Sequence, residues 1–360
     1  MARAHNFNAG PAILPVQVVK ETAEAIIDFN GTGMGLMEVS HRSKEFDAVI
    51  KEAQSDCLKI MKLSPDEYDV LFLGGGASMQ FLMVPYNFMH KESDYLVTGV
   101  WAKKAWKEGK FFGKANVAAT SDDSNFNYLP KSFNFSPDAD YVHITTNNTI
   151  YGTEFKSLPD TGNIPLVADM SSDFMGMDFD YSKCSLIYAG AQKNVGPSGV
   201  TIVVIKKSWL ASKGKSDIPT MMNYKTHTEN ESMFNTPPCL PVFTVGRTFK
   251  WILEQGGVAA VQANNEKKAK LIYDVIDAYP EFYKGAVKNA EDRSLMNITW
   301  NLTTPELEAK FISEAKALNM IGLKGHRSVG GVRASVYNAC PIESADALAK
   351  FMVEFRKNNM

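Results

Sequence analysis

A single lysine between two apolar runs constrains the fold of this chain more than any other feature. The segments 185–190 and 201–205 read as buried strands, and Lys193 lies in the turn between them. The turn continues as Val195-Gly-Pro-Ser-Gly199, whose glycines and proline fix a tight path that can approach a ligand closely. In open α/β sheets the ends of such strands line the ligand crevice. The pattern therefore predicts a functional position for Lys193.

A carboxylate ends a second apolar run. Ile164-Pro-Leu-Val-Ala-Asp169 also reads as a buried strand, so an Asp and a Lys are predicted at two strand ends. Pyridoxal phosphate chemistry needs such a pair: the lysine forms a Schiff base with the aldehyde, and the carboxylate keeps the pyridine nitrogen protonated. A solvated surface lysine is the alternative when Lys193 is considered alone, so other residues have to decide.

Composition allows an enzyme and argues against several other classes. The 360 residues are 45% hydrophobic and 22% charged, with a net charge of −2 and no basic run, so a nucleic-acid partner is not expected. No stretch approaches the ~20 apolar residues that span a bilayer, and the start has no apolar signal region. We expect a cytoplasmic protein with no membrane association. Four scattered cysteines predict reduced thiols, with neither a metal site nor a disulfide framework: Cys57, Cys184, Cys239 and Cys340.

Strand-like and helix-like segments alternate along most of the chain, which predicts a doubly wound α/β sheet. The predicted strands are 69–73, 95–98, 141–145, 166–168, 186–188 and 201–205. The sequence pattern changes at Gly256-Gly257, and a second, smaller α/β unit is predicted after these residues. Its predicted elements are a helix to about Tyr279, a strand 296–300, a helix that begins at Thr304-Pro305, a strand 332–336 and a last helix from about Ser344.

Two features beside the predicted strands suit a flat, phosphorylated cofactor. Gly74-Gly75-Gly76 separates a strand from a helix, so free backbone N–H groups and the positive end of a helix dipole are available to a phosphate. The glycine spacing matches neither a P-loop nor a dinucleotide fingerprint, and the turn alone could be structural. Trp101 follows another strand and could stack on a cofactor ring, although a core tryptophan is the alternative.

Basic residues occur as two His-Arg pairs, His41-Arg42 and His326-Arg327, with Arg333 six residues after the second pair. Arginine binds carboxylates and phosphates through a planar fork, and histidine adds a donor whose charge changes near neutral pH. Each could be a surface charge when taken singly. The glycines around His326 favour a binding site, because glycines add nothing to a solvated charge. Together these residues suit a doubly anionic substrate.

Eight segments, spread from end to end, give the chain a specific family resemblance. They are Phe7-Asn-Ala-Gly-Pro-Ala12, Met37-Glu-Val-Ser-His-Arg-Ser43, Gly74-Gly-Gly-Ala-Ser-Met-Gln-Phe81, Asn148-Thr-Ile-Tyr-Gly152, Ala168-Asp-Met-Ser-Ser172, Ala189-Gly-Ala-Gln-Lys-Asn194, Phe234-Asn-Thr-Pro-Pro238 and Gly325-His-Arg-Ser-Val-Gly-Gly-Val-Arg-Ala-Ser335. The chain resembles the phosphoserine aminotransferases, which are class-V, fold-type I pyridoxal-phosphate enzymes. The resemblance implies a large domain (16–258) with a mostly parallel mixed sheet flanked by helices. It also implies a small α/β domain formed by 1–15 and 259–360.

The resemblance also implies roles for matching residues. Lys193 would carry the cofactor, Asp169 would pair with the pyridinium nitrogen, and Trp101 would stack on the ring. The remaining cofactor contacts would be Thr149 at the phenolic oxygen, Ala77, Ser78 and Gln192 at the phosphate, and Asn235 and Thr236 from the partner subunit of a homodimer. Arg333 would hold the α-carboxylate of the substrate. His41, Arg42, His326 and Arg327 would bind its phosphate or the side-chain carboxylate of glutamate, with both pairs coming from the neighbouring chain.

By the same resemblance, the reaction is transamination of 3-phosphohydroxypyruvate with L-glutamate to O-phospho-L-serine and 2-oxoglutarate in serine synthesis. Use of 4-phosphohydroxythreonine in vitamin B6 synthesis stays open. One departure is Ala77-Ser78-Met79 in the glycine turn, where some family members have an arginine. The alternatives are a transaminase for small unphosphorylated acids, a cysteine desulfurase and an inactive cofactor-binding regulator. A desulfurase would need a catalytic cysteine in a mobile loop, and none is evident in this chain. A regulator would usually carry a DNA-binding segment, and no part of the chain is left over for one.

Overall fold

The computed structural model describes residues 3–360, which form twelve strands and ten α-helices. The strands are β1 (His5–Asn6), β2 (Tyr68–Leu73), β3 (Glu92–Val97), β4 (Lys114–Thr120), β5 (Val142–Thr145), β6 (Leu166–Asp169), β7 (Cys184–Gly190), β8 (Thr201–Lys206), β9 (Lys284–Gly285), β10 (Asn297–Asn301), β11 (Met320–Ile321) and β12 (Val332–Ser335). The helices are α1 (Val16–Ile27), α2 (Lys44–Met61), α3 (Gly76–Phe88), α4 (Val100–Gly109), α5 (Lys207–Lys213), α6 (Tyr224–Glu229), α7 (Cys239–Glu254), α8 (Val258–Ala278), α9 (Pro305–Ala317) and α10 (Ile342–Lys357).

Seven strands form the main sheet in the order β2-β8-β7-β6-β5-β3-β4. All neighbouring pairs are parallel except the two that involve β8, so β8 alone runs against the others. Alternate residues of these strands enter two hydrophobic clusters on opposite faces: Ile187 lies in one cluster, and Leu186 and Tyr188 lie in the other. Burial on both faces explains why the strands read as continuous apolar runs. The predicted mixed, mostly parallel sheet is confirmed.

The helices cover both faces of this sheet. The helices α2 and α7 pack against each other and contribute to one cluster, which includes Ile50, Cys57 and Phe249. On the opposite face, α3 and α4 contribute Phe81 and Ala105. This two-sided cover is the doubly wound arrangement that the alternating pattern predicted. None of the helices in the described part of the chain is long and apolar enough to cross a membrane.

A smaller unit with its own core forms around the antiparallel sheet β12-β10-β9. The helix α9 begins as predicted, with the Thr304 side chain accepting a hydrogen bond from Leu307 N and Pro305 in the first turn. The N-terminal segment belongs to the same core, because β1 pairs with β11 and Phe7 is buried in the cluster. The division of the chain at residue 258 stays a prediction, and residues 1–2 lie outside the described part.

Candidate active site

A pocket of about 460 Å³ lies at the carboxyl ends of β6 and β7 and reaches the first turns of α3 and α4. It collects nine of the predicted site residues: Ala77, Ser78, Trp101, Thr149, Asp169, Gln192, Lys193, His326 and Arg333. Another groove of similar volume, about 510 Å³, opens beside Lys59 and Lys207 and carries none of them. The location agrees with the expected crevice at the strand ends.

Lys193 lies in the connection between β7 and β8 and extends into the pocket. Its Nζ donates a hydrogen bond to Thr149 Oγ1 over 2.9 Å and lies 5.5 Å from the centre of the Trp101 ring. The pKa of the Lys193 ammonium is lowered to about 8, mainly by burial; the charge of Asp169 opposes this shift, and that of Arg333 adds to it. A lysine with a pKa close to physiological pH can act as a nucleophile and as a base.

Asp169 ends β6 and is buried next to Ser171. Its Oδ1 accepts hydrogen bonds from Ser171 N over 3.0 Å and from Ser171 Oγ over 2.6 Å. Burial raises the pKa of this carboxyl, while the Ser171 bonds and the charge of Lys193 work in the opposite direction. No hydrogen bond from residues 3–360 ends on Oδ2, so this oxygen is available to a cationic group in the pocket. A buried carboxylate of this kind is stabilised by a positive partner.

The glycine turn forms the N-terminus of α3. Gly75 is the N-cap residue with φ 87°, and a Cβ there would lie 2.5 Å from Met79 Cβ, so the turn requires glycine. The first N–H groups of a helix have no partner within it, and here Ala77 and Ser78 of this first turn line the pocket together with Gln192. This arrangement suits a phosphate group.

Trp101 lies in the first turn of α4 and forms another wall. The preceding Gly99 allows Asn148 to approach closely, and Asn148 Nδ2 donates to Thr98 O over 2.7 Å. Lys104 Nζ lies 4.3 Å from the centre of the Trp101 ring. Cation–π attraction to this ammonium stabilises the orientation of the ring.

Arg333 lies on β12 and reaches the pocket from the smaller unit. Its Nη1 donates to Thr149 O over 3.1 Å, while its buried Nε has no partner within residues 3–360. Burial lowers the pKa of the guanidinium. A half-buried arginine with an unpartnered N–H is a donor available to an anionic ligand.

His326 lines the pocket of its own chain in the isolated subunit. The expectation that both His-Arg pairs come from a neighbouring subunit stays a prediction. The glycine-rich loop before β12 closes on itself: Gly325 N donates to Gly331 O, and Gly330 N donates to His326 O. This closed loop returns the imidazole to the pocket that Arg333 lines.

Five predicted residues lie outside this pocket in the isolated chain. His41 and Arg42 line a separate surface pocket together with Met233. Asn235 and Thr236 follow shortly after Met233 and are exposed, as is Arg327. Four of the five, all except Arg327, are thus grouped on one other part of the surface.

Sequence reasoning missed several residues that shape the pocket. Ser171 is the main one, because its Oγ donates to Asp169 and accepts from Gly190 N over 3.1 Å, which joins the ends of β6 and β7. Its position two residues after a strand-terminal Asp was the available signal. Gly10 was also missed: a Cβ there would lie 3.2 Å from Lys193 Cγ. Sequence alone gives no signal for this contact.

Comparisons with known proteins agree with this geometry. A family model for class-V aminotransferases matches residues 4–348. The phosphoserine aminotransferase of Lysinibacillus sphaericus is 51% identical over 99% of each chain. The chain belongs to the phosphoserine aminotransferase family. The solved structure of the family member from Bacillus circulans subsp. alkalophilus covers 99% of each chain with 47% identity and a TM-score of 0.96. The predicted family, fold and enzyme class are confirmed.

Pyridoxal phosphate is the cofactor of this family, and the prediction of that cofactor is confirmed. A pyridoxal-phosphate-bound phosphoserine aminotransferase from Trichomonas vaginalis matches with 38% identity, a TM-score of 0.91 and 98% of this chain covered. The pocket fits the group: an amine with a lowered pKa, a buried carboxylate with an unengaged oxygen and the open N–H groups of α3 correspond to its aldehyde, ring nitrogen and phosphate. These are the complementary groups that its binding requires.

Proposed function

We propose that the chain transfers the amino group of L-glutamate to 3-phosphohydroxypyruvate, giving 2-oxoglutarate and O-phospho-L-serine for serine biosynthesis. The observation that carries the proposal is the convergence of Lys193, Asp169 and Arg333 on one pocket of a phosphoserine aminotransferase family member. Both substrates carry an α-carboxylate and a second anionic group. The arginines and histidines of the predicted site match that charge.

Bound pyridoxal phosphate supplies an electron-accepting ring that carries the amino group from one acid to the other. Lys193 Nζ is proposed to hold the cofactor covalently, to be released by the incoming amine and then to move the proton of the substrate Cα. Its pKa of about 8 suits this task, because an appreciable fraction of the amine is neutral near physiological pH. Asp169 would hold a proton at the ring nitrogen, and Thr149 Oγ1, already bonded to Lys193 Nζ, would face the phenolic oxygen.

The remaining pocket residues would orient the two partners. The N–H groups of Ala77 and Ser78, with Gln192, would bind the cofactor phosphate, and Trp101 would cover one face of the ring. Arg333 would bind the α-carboxylate through the N–H that lacks a protein partner. A desulfurase is disfavoured, since no cysteine lines this pocket and burial raises the pKa of Cys57, Cys184 and Cys340.

The active form is proposed to be a homodimer in the cytoplasm. Support comes from the grouping of His41 and Arg42 with the segment that precedes Asn235 and Thr236, away from the pocket of their own chain. Three exposed apolar side chains lie close to these residues in the sequence, Met34, Met37 and Phe234, and exposed apolar side chains of this kind are typical of an interface. A two-fold axis would bring this surface to the partner's pocket.

Mixed dimers test the shared site. We expect Lys193→Ala and Arg42→Ala subunits to be poorly active alone and to regain activity when they are unfolded and refolded together. In a random mixture half of the dimers are hybrids with one intact site each, so about a quarter of wild-type activity should return. Recovery would be absent if each site used Lys193 and Arg42 of the same chain. Sedimentation of the wild-type protein as a monomer would also exclude the dimer.

Phosphate selectivity tests the proposed substrate. Arg42→Ala and Arg327→Ala should each remove a charge-assisted contact worth about 1.5–3 kcal/mol, or about ten- to a hundredfold in kcat/KM for 3-phosphohydroxypyruvate. Unphosphorylated hydroxypyruvate should be affected much less. Arg333→Ala should slow both keto acids, because both carry the α-carboxylate.

The measurement is the ratio of kcat/KM for the two keto acids in wild type and in the three variants. Glutamate is expected to share the basic cluster, so its own half-reaction is not diagnostic. A wild-type preference for unphosphorylated hydroxypyruvate would favour the small-acid transaminase instead. An unchanged ratio in both the Arg42 and Arg327 variants would remove these residues from the phosphate site.

A further inference from the structure

A buried amide follows Lys193 directly and joins two segments that lead away from the pocket. Asn194 Nδ2 donates to Phe174 O over 2.8 Å, and Asn194 Oδ1 accepts from the backbone N–H of Asn338 over 2.9 Å. Phe174 lies in the turn that follows Asp169, and Asn338 follows β12, the strand that carries Arg333. The Asn194 side chain therefore contacts both the segment that follows Asp169 and the segment that follows Arg333.

The segments held by Asn194 are themselves fixed by buried hydrogen bonds. Asn338 Nδ2 donates to Met175 O over 3.0 Å, and Asn265 Nδ2 on α8 donates both to Asn338 Oδ1 over 2.8 Å and to Gly176 O over 3.1 Å. Met175 has φ 57°, a conformation that a residue with a side chain keeps only where its surroundings hold it. The turn after Asp169 thus has little freedom to move independently.

Two interpretations of these amides differ in what they predict. In the first interpretation the three asparagines contribute only to stability, because buried amides need hydrogen-bond partners. In the second, one of them also positions a residue of the pocket. Asn194 differs from Asn265 because it is the covalent neighbour of Lys193, so its side-chain hydrogen bonds restrain the backbone that carries the lysine. Asn265 belongs to the same network but contacts neither Lys193 nor Asp169 in the hydrogen bonds described above.

We propose that Asn194 is a positioning residue, which sets the place of Lys193 Nζ relative to Asp169 and Arg333 by binding the three segments to one buried amide. The inference rests on the proposed role of Lys193 in transamination. Catalysis is sensitive to such placement, because displacement of a reacting group by about 1 Å can cost on the order of a hundredfold in rate.

The test compares Asn194→Ala with Asn265→Ala as holoenzymes, since both variants remove a buried amide from the same network. Four quantities are measured: kcat for glutamate, KM for glutamate, the pH midpoint of the change in cofactor absorbance, and the temperature of unfolding. For Asn194→Ala we expect kcat to fall about ten- to a hundredfold while KM changes less than about twofold. The midpoint should rise by about half a pH unit, because a displaced Lys193 gains water and its nitrogen binds a proton more readily.

Asn265→Ala should lower the unfolding temperature without moving kcat or the midpoint. The proposal is overturned if the Asn194 variant also loses only stability. Should Asn194→Ala fail to fold, Gly176→Ala decides, because its Cβ would lie 3.1 Å from both Asn194 Nδ2 and Asp173 O and press on the amide without removing it, while the flexible end of Met296, 2.8 Å from that Cβ, can move aside. A midpoint that stays at the wild-type value in Gly176→Ala would then overturn the proposal. Absence of glutamate transamination in the wild type would refute the proposed function instead, and the absorbance midpoints would still decide on Asn194.

Discussion

Lys193→Ala is expected to lower kcat by about 10⁴-fold or more, because the variant loses both the covalent attachment point and the base that moves the Cα proton. The fold should persist for two reasons. Burial of the ammonium costs free energy in the wild type, and the variant loses only one side-chain hydrogen bond, the one to Thr149. Some cofactor should remain bound through its phosphate and ring. The measurements are single-turnover kinetics with glutamate and thermal unfolding.

The chain provides its own control for this assignment. Lys268 is also buried, burial lowers its pKa to about 8, and its Nζ donates to Tyr337 O over 2.7 Å. A lysine with a lowered pKa is therefore not unique to position 193, but Lys193 lines the pocket with Asp169, and Lys268 does not. Borohydride reduction of wild-type protein should leave the pyridoxyl group on the peptide that contains Lys193. A label on the Lys268 peptide would overturn the assignment.

The large sheet could be predicted from the sequence because its strands are buried on both faces. Segments such as 69–73, 166–168 and 201–205 are short apolar runs bounded by turn residues, and β2, β6 and β8 lie within a few residues of them. The N-terminus of α9 could also be predicted, from Thr304-Pro305. In these places local pattern and tertiary environment agree.

Strands that are very short or of ambiguous composition were not predicted. The strands β1 and β11 have two residues each, too few for any periodicity, and they exist because His5 and Asn6 pair with Met320 and Ile321. The edge strand β4 is partly exposed and rich in alanine, a composition that does not distinguish strand from helix. Such elements are specified by tertiary contacts rather than by local sequence.

The candidate site shows the same limit. Lys193, Asp169 and the glycine turn could be identified because each ends an apolar run, and their convergence follows from parallel strands meeting at one edge of the sheet. The residues that connect them could not. Ser171 and Asn194 act through hydrogen bonds to Gly190 and Asn338, whose proximity only the folded chain reveals. The placement of His326 beside Arg333 depends on a loop closure that motif spacing does not encode.

Asp169→Asn is expected to lower kcat by on the order of 10²-fold or more while the fold is kept. The two side chains are nearly isosteric, and the amide oxygen of the variant could still accept the hydrogen bonds from Ser171 N and Ser171 Oγ. What disappears is the negative charge that would hold a proton on the ring nitrogen, and fixed charges in a water-excluded site are worth most as the transition state develops. Loss of this charge should also lower the pKa of Lys193 further, because Asp169 raises it in the wild type.

Asp173→Asn is the matched control for this prediction. Asp173 is a second buried acid four residues farther on, its Oδ1 accepts a hydrogen bond from Thr146 Oγ1 over 2.6 Å, and it does not line the pocket. Burial and the nearby Glu154 raise the pKa of this carboxyl well above its usual range, and an amide of the same shape could still accept the hydrogen bond from Thr146 Oγ1. We therefore expect near-normal kcat in Asp173→Asn and a large loss in Asp169→Asn, measured on fully loaded enzyme at the same pH. Equal activity of the two variants would mean that another group supports the ring nitrogen.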